Sequence, residues 1–333
     1  MSKIKSEEIS VVVQGAIDKE NTPLCLKSIR KYLPYAEIIL STWEGSDIEG
    51  LDYDILLLNN DPGGFKDKCV SFTNNLLRQL ISTKNALDKV NTKYTIKMRT
   101  DLMFKNHNFL KFWNDFLMYD DNYKIYQHKI ITSSFFFKRF LCDKKGLSVM
   151  PVPFHISDWF QFGLSEDIKK LYNIELPKEP EQAEFLFNNP YKGFNVNLLQ
   201  ASHQYAPEQY IAYNSYKKHI KHTPVSFQNY MDFNSNNIEE SEKFIINNFI
   251  ILSPKEIGFM CLKEQTNNDK YKIWCKNPLS VPYLLWNGLY RPYVYRILYK
   301  KHCDKRYNMP IKIRLSETIE KIIIARGRKC IVR

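Results

Sequence analysis

Residues Lys97, Met98, Arg99, Thr100 and Asp101 bring two cations and a carboxylate together at the end of an apolar run. If that run is a strand, alternation places Lys97, Arg99 and Asp101 on one face. A carboxylate so placed can hold a divalent cation against a pyrophosphate, and the two cationic side chains can neutralise phosphate oxygens directly. The same residues also suit a plain Arg–Asp pair closing a strand end. Two further acids in the middle of the chain are candidates for general acid–base work. Asp158 lies in HISDWFQFG (155–163), a charge among aromatic rings that can stack on a ligand; its plainer reading is a helix N-cap shared with Ser157. Glu208 follows Ala206-Pro207 at a helix start, where an acid in the first turn also suits the helix dipole without further function. Asp158 ranks slightly ahead as the base, with Glu208 as the alternate. Arg78 interrupts an apolar helical stretch and faces either solvent or a ligand. Of the seven histidines, His155 and His203 lie near the candidate acids, while His219 and His222 are flanked by lysines and read as a solvated face.

The elements that must position these groups read as alternating strands and helices. Residues 9–14 (ISVVVQ), ending in Gly15, have the β-branched composition of a buried parallel strand. Thr22-Pro23 opens a helix that Pro34 stops. Residues 36–42 and 54–58 predict a second and a third strand, NNDPGG (59–64) a turn, 71–90 a helix, and 94–104 a fourth strand. The triplet Phe135-Phe136-Phe137 reads as a buried strand in preference to a lipid-dipping loop with Arg139. Strand, helix, strand, strand, helix, strand begins a mostly parallel α/β sheet, in which ligands sit beyond the carboxyl ends of the strands. The residues there are Gln14 and Gly15, Thr42, Glu44 and Asp47, Asn60 and Asp61, and Arg99 and Asp101. No glycine-rich dinucleotide fingerprint, P-loop, GxSxG, HExxH or kinase motif set occurs, which leaves those classes without support.

The stretches VVVQGAI (11–17), SIRKYLPYAEIILSTWEGSD (28–47), NNDPG (59–63), NNLLRQLISTKNAL (74–87) and YTIKMRTDL (94–102) stand in one order. Together they resemble the WavE family of lipopolysaccharide-synthesis proteins, closely over residues 9–104 and more loosely through ISDWFQFG (156–163) and APEQY (206–210). The resemblance implies a GT-A-like catalytic domain, a Rossmann-like mostly parallel sheet flanked by helices, transferring a sugar from a nucleotide-sugar donor to a lipopolysaccharide, lipooligosaccharide or capsule acceptor. Donor binding would fall to Gln14, Gly15, Thr42, Glu44, Asn75, Arg78, Lys97, Arg99 and Asp101. Such enzymes usually carry an Asp-x-Asp element at the fourth strand; Arg99-Thr100-Asp101 keeps one acid, so Asp101 is the metal candidate for Mg²⁺ or Mn²⁺, or Arg99 and Lys97 take over the phosphate charge. A sugar-phosphate transferase of the same pathway class, or a non-catalytic glycan- or nucleic-acid-binding protein, are the alternatives.

The 333 residues are 44% hydrophobic and 25% charged, which excludes a disordered chain. The formal charge is +12, and eleven Lys/Arg against Asp304, Glu317 and Glu320 place +8 of it between Ile297 and Arg333. Ile319, Ile322, Ile323 and Ile324 among the basic residues there suit a short amphipathic helix, either lying on an anionic membrane surface or packed on the main domain. No nucleic-acid-binding signature accompanies the charge. The seven cysteines include no CxxC pair and read as reduced thiols. With no run of about 18 apolar residues and a polar N-terminus, the expected place is the cytoplasm or the inner face of the inner membrane. The expected division is a catalytic domain over 1–235 and a C-terminal segment over 236–333 packing on it, with the basic tail from about 297.

Overall fold

The structure is a computed structural model and describes residues 4–66, 73–142, 149–178, 204–230, 232–262 and 292–309. Its strands are β1 (Ile9–Gln14), β2 (Glu37–Trp43), β3 (Ile55–Asn59), β4 (Phe65–Lys66), β5 (Thr73–Asn74), β6 (Tyr94–Arg99), β7 (Leu102–Phe104), β8 (Ile130–Ser133), β9 (Phe140–Cys142), β10 (Val149–Pro151), β11 (Phe160–Leu164), β12 (Phe249–Leu252) and β13 (Phe259–Cys261). The helices are α1 (Asn21–Tyr32), α2 (Leu76–Leu87), α3 (Ser165–Tyr172), α4 (Pro207–His219), α5 (Ser235–Asn248), α6 (Pro254–Ile257) and α7 (Pro292–His302).

Seven strands form the main sheet in the order β12-β8-β11-β6-β1-β2-β3. β1 is parallel to both β2 and β6, β2 to β3, and β8 to β12; β11 alone runs against its neighbours β6 and β8. This is the mostly parallel, helix-flanked α/β architecture expected from the sequence. Every residue of β1 is buried, as its β-branched composition requires of a strand covered on both faces. At the edge, β3 is half-exposed and leaves Leu58 at 46%. From β1 the chain steps outward through β2 to β3, then returns through α2 to place β6 on the other side of β1. The order therefore reverses between β1 and β6, and a crevice opens beyond their carboxyl ends.

Two expected elements differ. The run 94–104 is not one strand: β6 stops at Arg99, the Thr100 amide bonds back to the Gln14 carbonyl at 3.2 Å, and the chain turns before β7 pairs with β13. Phe135 and Phe137 are buried as expected, but they sit in a turn after β8, with Phe136 at φ 57°. The main sheet continues past the expected boundary at residue 235. β12 is the seventh strand of the sheet and all four of its residues are buried, so residues beyond 236 complete the domain instead of only packing on it. In α7, Val294, Tyr295, Leu298 and Tyr299 are buried, and the Tyr299 hydroxyl accepts the Met118 amide at 3.0 Å. The isoleucine-rich segment 319–324 lies outside the described residues.

Candidate active site

The crevice at the β1–β6 reversal has a volume of about 740 Å³. Of the expected site residues, Gln14, Gly15, Asn75, Arg78, Arg99, Asp158 and Glu208 line it. Gln14 ends β1 and accepts a hydrogen bond from the Ser82 hydroxyl at 2.9 Å, which ties the strand to α2. Gly15 has φ 127°, and a Cβ there would meet Thr100 Oγ1 at 3.3 Å. Arg78 faces the crevice lip and not open solvent: its Nε and Nη2 donate to Asp61 at 2.7 and 2.6 Å, and Nη1 donates to Asn75 Oδ1 at 3.0 Å. Asp61 and Arg78 thus join the turn after β3 to the first turn of α2.

Four expected residues are not on the wall. Thr42 is buried with its hydroxyl 3.2 Å from Ser46, and Glu44 is exposed in the next turn; Trp43 between them reaches the crevice instead. Alternation along β2 explains the exchange, since neighbours face opposite sides. Lys97 is fully buried behind the crevice, where its ammonium donates to the Asp158 carbonyl and lies 5.9 Å from the Tyr172 ring centroid. Burial pulls its pKa down to about 8. Lys97 is therefore a strut under the Asp158 turn and does not line the crevice. Asp101 lies beyond the end of β6, so strand alternation does not govern it. Its side chain is 1% exposed and tucked under Arg99, whose Nε and Nη2 donate to it at 3.0 and 2.7 Å.

That pairing decides the question of a metal at Asp101. A divalent cation needs several oxygen ligands, whereas here the Arg99 guanidinium already faces the carboxylate on two sides. Among the described residues no three His, Cys, Asp or Glu side chains assemble into a metal-binding group. The described residues do not fit a cation at Asp101.

Asp158 and Glu208 come together in the crevice from distant parts of the chain. Asp158 precedes β11 and caps no helix; its Oδ1 is buried without a hydrogen-bond partner. Gln161 Nε2 donates to the Ser157 carbonyl at 3.1 Å and Thr132 donates to the Phe160 carbonyl at 3.1 Å, so the turn holding Asp158 is fixed from three sides with Lys97. Glu208 is in the first turn of α4, as the Ala-Pro start predicts, and its carboxyl lies 3.8 Å from His155 Nε2. Burial, followed by the Asp158 charge, raises the Glu208 pKa to about 7. Burial and the Lys138 charge push His155 well below its ordinary range, leaving it neutral. Its Nδ1, like the Tyr230 hydroxyl, is buried without a partner. With Gln79 Nε2, four such polar atoms lie around one crevice, and they are costly unless a ligand bonds them, because an unmet buried donor or acceptor loses about 1–3 kcal/mol.

Several wall residues were not among the site residues expected from the sequence. The Arg99 guanidinium stacks 4.0 Å from the Trp159 ring centroid, and Phe136 stacks on Trp159 at 4.9 Å and 4°. Phe136 holds a left-handed backbone that a bulky residue rarely adopts, strain of the kind found at binding sites. Lys138 brings a third cation. The strand-end rule applied to β8 would have found Phe136 and Lys138; nothing local marks Tyr205 or Tyr230.

A family model for WavE lipopolysaccharide synthesis matches residues 9–326. The chain belongs to that family. For this WavE chain no curated protein gives a match. Among solved structures, the catalytic domain of Drosophila beta-1,4-galactosyltransferase 7 in complex with xylobiose aligns at 11% identity over 51% of this chain and 54% of the other, with a TM-score of 0.26. A mutant of the Drosophila enzyme in complex with manganese, UDP-Gal and xylobiose aligns at 10% identity over the same shares, also at 0.26. The WavE chain thus spans about half the length of these enzymes, and neither likeness bears on the residues of its crevice.

Proposed function

We propose that this WavE protein is a glycosyltransferase of GT-A type, moving a sugar from a nucleotide-sugar donor to a glycan or glycolipid acceptor in surface-glycan synthesis. The observation that carries the reading is the composition of one crevice: at the β1–β6 reversal, Arg78, Arg99 and Lys138 stand beside the stacked rings of Trp159 and Phe136 and the carboxyls of Asp158 and Glu208. Cations suit a diphosphate, aromatic faces suit a sugar ring, and a buried unpartnered carboxylate oxygen suits an acceptor hydroxyl.

In this reading the acceptor oxygen attacks the anomeric carbon, the carbon–oxygen bond to the diphosphate breaks, and its electron pair leaves with the nucleoside diphosphate. Asp158 takes the hydroxyl proton. Glu208, whose pKa is raised to about 7, is the next position to which that proton can pass, and neutral His155 lies against it. Arg99 and Arg78 hold the departing phosphates. Association with an anionic membrane surface through the basic tail belongs to the same proposal and rests on charge alone.

The test is transfer from labelled UDP-, GDP-, dTDP- and CMP-sugars to a deep-rough glycolipid acceptor by the whole protein and by Asp158→Asn. The expected result is a labelled glycolipid that the variant fails to make while still binding the nucleotide. Near-normal turnover by Asp158→Asn overturns the assignment of the base, and release of a nucleoside monophosphate with a phosphodiester product from a nucleoside diphosphate sugar would replace sugar transfer by sugar-phosphate transfer.

A further inference from the structure

We propose that Arg99 is the resident cation of the diphosphate site, so that donor binding in this protein is independent of divalent metal. The inference rests on the donor-site reading above and deepens it. In an Asp-x-Asp element, two carboxylates and one divalent cation sum to zero charge. Arg99 and Asp101 also sum to zero, with the cation supplied by the chain itself. The exchange therefore preserves the charge of the loaded site while removing the need to recruit an ion.

The geometry makes Arg99 suited to that place. Asp101 holds its Nε and Nη2 at 3.0 and 2.7 Å, and the Trp159 ring lies 4.0 Å from the guanidinium carbon, so the group is clamped in its plane and on its face. Nη1 remains outside the Asp101 pair for a phosphate oxygen, and a planar guanidinium matches phosphate well. Arg99 lines the crevice while Asp101 does not, which puts the cation and not the acid before the ligand. The backbone beneath is equally fixed. The Thr100 hydroxyl donates to the Ala16 carbonyl at 2.8 Å and the Leu262 amide donates to the Asp101 carbonyl at 2.8 Å. A preset cation needs little reorganisation when the diphosphate arrives or departs.

Isothermal titration of the full chain with UDP, GDP, dTDP and CDP, in EDTA and again in millimolar MnCl₂, tests this. The nucleotide that binds should do so with dissociation constants equal within about two-fold in the two buffers. Arg99→Gln should weaken binding about ten-fold or more in both. Arg99→Asp, which rebuilds two acids around Thr100, should lose binding in EDTA and regain it with MnCl₂. Arg99→Lys keeps the charge without the fork and should fall between, and melting curves of each variant show that it is folded. Wild-type binding that requires MnCl₂ overturns the proposal and leaves the donor site standing. Binding of no nucleotide in either buffer overturns both.

Discussion

Glu208 is the residue whose chemistry pH should expose most directly. Its pKa lies at about 7 in the fold against an ordinary 4.5, so the folded protein holds a proton that the unfolded chain releases. Stability therefore falls as pH rises from about 4.5 to about 7 and levels off above, by about 3 kcal/mol at most. Glu208→Gln cannot ionise, so it should raise the melting temperature at pH 8, bring no such gain at pH 4.5, and slow transfer. A calorimetric series over that range checks this; equal melting shifts at both ends would show that the carboxyl is not perturbed. Asp158→Asn should behave differently, lowering turnover by about two to four decades with a small change in melting temperature. The contrast follows from position. Both acids line the crevice, but Glu208 lies against His155 while Asp158 keeps a buried oxygen without a partner for the acceptor.

At the scale of elements, β6 matters because it serves the site from both its face and its end. Arg99 at its end meets the ligand, and Lys97 two residues earlier holds the turn before β11 by the Asp158 carbonyl. Lys97→Met leaves the Asp158 carbonyl without its donor and should cost about 1–3 kcal/mol of stability. It should also lower kcat more than it raises KM, since the turn carrying Asp158 loses one of its anchors. A fall in stability with kcat intact would make Lys97 a structural group only. Gly15 sets the other wall. Its φ of 127° and the 3.3 Å approach of Thr100 Oγ1 make Gly15→Ala strained on both counts, at about 1–3 kcal/mol, and the variant should also weaken nucleotide binding by shifting the Arg99–Asp101 turn.

For the whole molecule, the sheet extends past the middle of the chain in sequence. β12 covers β8 and is itself covered by α5 and α7. A chain ended at residue 235 would leave β8 as an unpaired, apolar edge, and exposed edges of that kind aggregate. It should be insoluble, and sedimentation and calorimetry of that truncation check this; a soluble, cooperatively folded 1–235 chain would restore the boundary that composition suggested.

The sequence by itself determined the parallel half of the sheet, because β-branched runs such as 9–14 have one stable use, burial on both faces, and because short turn signals punctuate them. It also determined which strand ends matter, so that Gln14, Gly15, Arg78, Arg99 and the pair Asp158 and Glu208 were legible as types and places. What it left open was direction within a few ångströms. Thr42 and Glu44 differ from Trp43 by one residue, yet only Trp43 faces the crevice. Lys97 and Asp101 flank Arg99 at equal spacing, yet one is a strut behind the wall and the other a clamp beneath it. Only the tertiary structure decided these, because the turn at Thr100 breaks the alternation that would have aligned them, and because burial of Glu208 beside Asp158, and of Arg99 between Asp101 and Trp159, is created by segments some fifty or more residues apart meeting across the sheet.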